Sequence, residues 1–139
     1  MSRIFWDTNL FIYLLEGRGP LSERVAELRR AMLERDDQLA TSALTLGEVL
    51  VKPSERGDAE LQAKYQAAIT GTCLVIPFST SAARIYAKLR GDRIGPPDAI
   101  QLACAADVGV DLFVTNDTRL QKVRVAGIQF ISPLERVSL

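Results

Sequence analysis

Four acids, Asp7, Glu48, Asp98 and Asp117, occupy positions from which side chains far apart in a chain can meet. Asp7 ends the run Arg3-Ile4-Phe5-Trp6-Asp7, and Asp117 ends Leu112-Phe113-Val114-Thr115-Asn116-Asp117. Glu48 and Asp98 each open a short amphipathic segment. Acids at strand ends and helix starts can converge on one crevice. The chain has no histidine, so such a crevice would be built from carboxylates. Carboxylates favour a hard divalent cation: Mg2+ takes oxygen ligands, keeps several waters and shares its remaining positions with phosphates. Two such ions can activate a water and stabilise the leaving oxygen in phosphodiester cleavage.

Each acid also has a purely structural explanation. Asp7 suits a helix N-cap. Asp98 suits a first turn, where the helix dipole is positive. Thr45-Leu46-Gly47-Glu48 has the spacing of a capping box. Asp117 fits a turn. Four unrelated caps have no reason to fall at successive strand ends, and a shared metal site supplies one.

The elements that must position these acids follow from apolar period and punctuation. Ile4–Trp6 is a short apolar run of the kind found in a buried strand. Leu10, Phe11, Leu14 and Leu15 mark a helix over Thr8–Glu16 that Gly17 ends. Ser22 is expected to cap the next helix, which carries Val25, Leu28 and Met32. Leu39–Thr41 reads as a weak strand, and Leu46, Val49 and Leu50 as a short helix stopped near Pro53. Asp58 is expected to cap a helix with Leu61, Tyr65 and Ile69 that ends at Gly71. Cys73–Ile76 reads as a strand, followed by a helix capped by Ser79 or Thr80 and ended by Gly91. Gly95-Pro96-Pro97 forces a turn, and Pro97 suits a first helical position. Ala99–Val108 is a helix of small apolar residues, and Leu112–Thr115 and Ile128–Ile131 are strands. Strands alternate with helices and no tight hairpin signal intervenes. The expectation is one α/β domain over residues 1–139, with a parallel sheet covered on both faces and its site at the carboxyl ends of the strands.

Composition narrows the classes. With 139 residues, 47% hydrophobic and 24% charged, the chain can bury a core and is not of a disordered type. Cys73 and Cys104 are too few for a disulfide framework or a zinc knuckle. The absence of histidine removes Ser-His-Asp triads and imidazole acid–base catalysis. No apolar run reaches membrane-spanning length, and the first residues carry no signal-peptide pattern, so a cytoplasmic location is expected. The 17 bases balance 17 acids. Once four acids belong to a metal site, the rest of the molecule is cationic and able to attract a polyanion.

At this point the residues match a family. The chain resembles the PIN-domain nucleases, most closely the VapC toxin branch of VapBC toxin–antitoxin pairs. The matching segments are Phe5-Trp6-Asp7-Thr8-Asn9, Ser42 through Leu50 around Glu48, Gly95-Pro96-Pro97-Asp98-Ala99-Ile100 with its continuation to Ala103, and Phe113 through Asp117. The resemblance covers essentially the whole chain. It implies a five-stranded parallel sheet between helices, a Mg2+- or Mn2+-dependent endoribonuclease, a homodimer, and a cognate VapB-like antitoxin that blocks the site. Asp7, Glu48, Asp98 and Asp117 match the family's acidic quartet, with Asp7 and Asp98 the firmest metal ligands. Thr8, Asn9, Thr115 and Asn116 match supporting positions, although many members have Arg or Gly where this chain has Asn116.

RNA contacts are expected from Arg84, Lys88, Arg90 and Arg93, which run toward Asp98, and from Arg119, Lys122 and Arg124 after Asp117. Such cations hold phosphates without reading bases. The helix pair between Ser22 and Ile69 is the expected antitoxin surface. Three alternatives compete. A catalytically inactive RNA- or protein-binding module would not need all four acids. A phospho-acceptor receiver domain needs a lone acceptor Asp and a late Lys. A haloacid-dehalogenase-like phosphatase needs an acid where Asn9 stands.

Overall fold

The computed structural model describes every residue from Met1 to Leu139. Five strands, β1 (Arg3–Trp6), β2 (Gln38–Ser42), β3 (Leu74–Ile76), β4 (Val110–Val114) and β5 (Ile128–Ser132), form one sheet in the order β3-β2-β1-β4-β5. Every neighbouring pair is parallel. The helices are α1 (Thr8–Glu16), α2 (Gly19–Glu34), α3 (Ala43–Glu55), α4 (Ala59–Thr70), α5 (Thr80–Gly91) and α6 (Pro96–Val108), with a 3-10 turn at Leu134–Arg136.

Strand alternation splits the core into two layers. On β1, Ile4 and Trp6 face a cluster with Leu10, Phe11, Val25, Leu28, Met32, Val49 and Ile69, so α1–α4 cover that side. Phe5 points the other way, into a cluster with Ala82, Leu89, Leu102 and Phe113 under α5 and α6. The rings of Phe5 and Phe113, directly opposite across the β1–β4 ladder, stack with centroids 4.8 Å apart. Both faces are covered, as a parallel sheet requires.

The chain runs outward from β1 through β2 to β3, then returns to the other side of β1 to lay down β4. The order therefore reverses between β1 and β4. In open parallel sheets the crevice at such a reversal, beyond the carboxyl ends of the strands, is where ligands bind. Asp7 follows β1 directly, and Thr115, Asn116 and Asp117 follow β4.

Several local expectations need correction. The second helix begins at Gly19, not at a Ser22 cap: Pro20 has its φ preset for a first turn, and Ser22 lies inside the helix with its side chain buried. Pro53 does not stop α3. It lies buried in the last turn, where a missing N–H costs one hydrogen bond. Ser42, not Thr45, caps α3 by accepting from the Thr45 N–H, so Thr45 and Glu48 form no capping box and Glu48 sits in the second turn. Pro96, not Pro97, takes the first position of α6. A turn segment rather than a helix joins β4 to β5, while α5 ends at Gly91 as expected. Asp58 and Ser79 do cap their helices. No helix is long and apolar enough to cross a membrane.

Candidate active site

Asp7, Glu48, Asp98 and Asp117 all line one crevice of about 520 Å³. Asp7 is the N-cap of α1 and also lines the crevice, so capping does not remove it from the site. One oxygen, Oδ1, accepts from the Thr8 N–H at 2.8 Å; the other, Oδ2, accepts from the Thr115 hydroxyl at 2.8 Å. The fully buried Thr115 hydroxyl also accepts from the Asp117 N–H at 3.1 Å, so one side chain braces two acids. Glu48, on α3, accepts from the Thr8 hydroxyl at 2.7 Å. Asp98 occupies the third position of α6 and receives no backbone capping bond; its carboxylate lies 3.6 Å from Arg119. Asp117 accepts from the Arg119 backbone N–H, Nε and Nη2.

The electrostatics reflect crowding of like charge. Burial is the main cause that raises the Asp7 carboxyl above its ordinary value, with Glu48 and Asp117 adding repulsion; bonds from Thr115 and Thr8 oppose the rise. Asp98 is raised first by burial and then by Asp117 and Asp7, while Arg119 opposes. Asp117 goes the other way, lowered chiefly by its hydrogen bond from Arg119.

This donor set fits a hard divalent cation. It is all oxygen, its acids repel one another, and Mg2+ commonly takes only one or two carboxylates, with waters completing the shell. No three acids lie close enough to form a ready-made cage. Two contacts engage these acids instead: Thr8 donates to Glu48, and Arg119 lies across Asp98 and Asp117.

The supporting residues divide. Thr8 and Thr115 bond directly to site acids, and Asn9 lines the crevice. Asn116 turns instead to accept from the Leu134 N–H at 2.9 Å, fixing the 3-10 turn. Arg84, Lys88, Arg90 and Arg93 do not line the crevice; the cations that do are Lys52 and Arg56, which flank Pro53 at the end of α3. Gln101, Ser42 and Thr45, buried beneath the acids, stand in the segments that match the family but were given no site role from sequence. The one signal for Gln101 was its place three residues after Asp98, on the same helical face.

The family model of the PIN domain matches residues 4–126, and the chain belongs to that family. No curated protein sequence matches it significantly. Among solved structures, the chain is similar to VapBC2 from Rickettsia felis, bound to a DNA fragment from its promoter, with a TM-score of 0.76 at 16% identity over 94% of this chain and 98% of that one. DNA-bound VapBC from Salmonella typhimurium gives 0.75 at 21% identity, covering 96% and 99%. VapBC-1 from nontypeable Haemophilus influenzae gives 0.72 at 21%, covering 92% and 97%. At these identities the likeness is one of fold.

Proposed function

We propose that this PIN-domain protein is a Mg2+- or Mn2+-dependent endoribonuclease and the toxin of a VapBC-type toxin–antitoxin pair. The observation that carries the reading is the convergence of Asp7, Glu48, Asp98 and Asp117 on one crevice at the sheet's reversal point. Family membership and the fold shared with VapBC complexes support it. Asp7 and Asp98 would hold the cation, with Glu48 and Asp117 completing the set directly or through water. A bound cation supplies an acidified water and a counter-charge for the phosphodiester. The chain's own residues fix the acids: Thr115 sets the rotamer of Asp7, and Thr8 sets that of Glu48. Lys52 and Arg56, on the crevice wall, are placed to hold flanking RNA phosphates.

The same crevice extends over Ile12, Leu15, Val49, Val51, Leu61 and Tyr65. This wall, made by α1, α3 and α4, is the surface we assign to a VapB-like antitoxin, which would cover the acids while seated there. It keeps the α3 and α4 part of the Ser22–Ile69 surface expected from sequence and adds α1. A homodimer belongs to the same reading.

The test is RNA cleavage by the purified chain with Mg2+ or Mn2+, with and without a chelator, beside Asp7→Asn. Cleavage lost on chelation and in the variant supports the proposal. The second reading, an inactive RNA- or protein-binding module, draws on Arg119 neutralising two of the acids. RNA binding without cleavage at saturating metal would favour it.

A further inference from the structure

Beneath the acids lies a closed chain of buried polar groups centred on Gln101, which is 2% exposed. Its Nε2 donates to the Thr8 hydroxyl at 2.9 Å and the Thr45 hydroxyl at 2.8 Å, and lies 3.5 Å from Asp7 Oδ1. Its Oε1 accepts from the Ser42 hydroxyl. Thr8 and Thr45 are 3.0 Å apart. One amide on α6 thus joins the start of α1 and the end of β2 to α3.

Proton counting fixes the direction of this chain. A threonine hydroxyl has one proton and two acceptor sites. The Thr8 proton goes to Glu48. Thr8 must therefore accept from Thr45 and from Gln101, which fills both its lone pairs. Thr45 in turn donates to Thr8 and accepts from Gln101. If the amide were reversed, its oxygen would face Thr8 and Thr45 and compete for the Thr8 proton, and Glu48 would lose its donor. The orientation is held by Ser42, whose hydroxyl donates to the amide oxygen while its own oxygen caps α3.

We infer that Gln101 is a positioning residue for the metal-binding acids: its amide polarises the buried hydroxyls so that Thr8 donates to Glu48, and its edge lies against Asp7. This inference rests on the proposed metal-dependent reading. It assigns Gln101 a role exercised through Thr8 and Glu48.

The experiment compares Mg2+ affinity, by calorimetry and thermal upshift, in the wild-type chain, Gln101→Met and Gln101→Glu. The first variant removes the donor at similar length. The second keeps the shape and, when ionised, only accepts. Both should bind Mg2+ about 10- to 100-fold more weakly, the range seen when groups behind metal ligands are removed. RNA cleavage should fall in kcat with KM for RNA unchanged. Thr8→Val, which cuts the same link without touching the amide, should give the same loss. Thr8→Ser, which keeps the hydroxyl, should restore binding relative to it. The double variant Thr8→Val/Gln101→Met should be no weaker than the worse single, because both act through Glu48. Gln101 or Thr8→Val variants that bind Mg2+ within about twofold of wild type, while losing only thermal stability, overturn the inference and leave the proposed function standing. A wild-type chain that binds no divalent cation overturns both.

Discussion

Arg119 holds Asp117 at three points: its backbone N–H and Nε reach one carboxylate oxygen at 3.0 Å each, and Nη2 reaches the other at 2.7 Å. The same Nη2 lies 3.6 Å from Asp98. The guanidinium is 79% exposed, so solvent and salt screen it and it adds little to folding. Locally, it supplies the positive charge that a divalent cation would supply.

Arg119→Gln should therefore leave thermal stability nearly unchanged and tighten Mg2+ binding by roughly an order of magnitude at low ionic strength, with the gain shrinking as salt rises. Calorimetric titration at two salt concentrations checks this. Weaker binding in the variant would show that Arg119 braces the ligands rather than competing for them.

Asp98→Asn should abolish cleavage yet leave the metal-free protein within roughly 0.5 kcal/mol of wild type, or more stable. Asp98 receives no capping bond, and burial and like charges disfavour its ionised form. Asp7→Asn differs: its amide keeps one acceptor oxygen, so the bond from either Thr115 or Thr8 is lost, which should cost about 1 kcal/mol while abolishing cleavage. Chemical denaturation of both variants in chelator separates the two cases.

The pH dependence of metal-free stability has a definite sign. Asp7 and Asp98 titrate above their ordinary value of 3.8 in the folded chain, so folding favours their protonated forms. That contribution is fully present below 3.8 and is lost as pH rises through the folded-state values. Asp117, lowered by Arg119, works oppositely: its contribution is present above 3.8 and lost as pH falls through its lowered value.

Added Mg2+ should reverse the trend for Asp7 and Asp98, because metal and protons compete for the same oxygens. At neutral pH, Mg2+ at about 100 times its Kd should add about 2.7 kcal/mol and raise Tm by roughly 5–10 °C. The upshift should fade as the acids protonate. Melting curves with Mg2+ or chelator across a pH series test this; an upshift independent of pH would place the ion elsewhere.

Two glycines should respond in opposite directions. At Gly127, φ is +99° and an added Cβ would stand 2.4 Å from the Ala106 carbonyl oxygen, backbone that cannot swing away. Gly127→Ala should cost about 2 kcal/mol or more. Gly47 lies exposed within α3, with open space where its Cβ would be, and Gly47→Ala should add about 0.5–1 kcal/mol. Denaturant midpoints measure both.

The parallel sheet was legible because its strands are short apolar runs separated by helical periods, and that pattern excludes hairpins. The four acids were legible because each stands beside such a run or opens a helical one. What escaped was decided by folding. Thr45 and Glu48 have capping-box spacing, but the helix starts earlier, at a Ser42 cap, because β2 ends there. Gln101 sits among small apolar residues, and nothing local marks it as the partner of hydroxyls 56 to 93 positions away. Arg119 reads as a cation awaiting RNA phosphate; only the turn after β4 folds it back onto its neighbour two residues earlier.

The central position of β1 has a consequence for synthesis. Its first edge pairs with β2 early, but its second edge stays bare until β4 has been made, and Asp117 comes later still. A nascent chain on the ribosome cannot complete the acidic set until Asp117 has emerged. If the chain cuts RNA as proposed, the ribosome making it is spared until the stretch beyond β4 has left the exit tunnel.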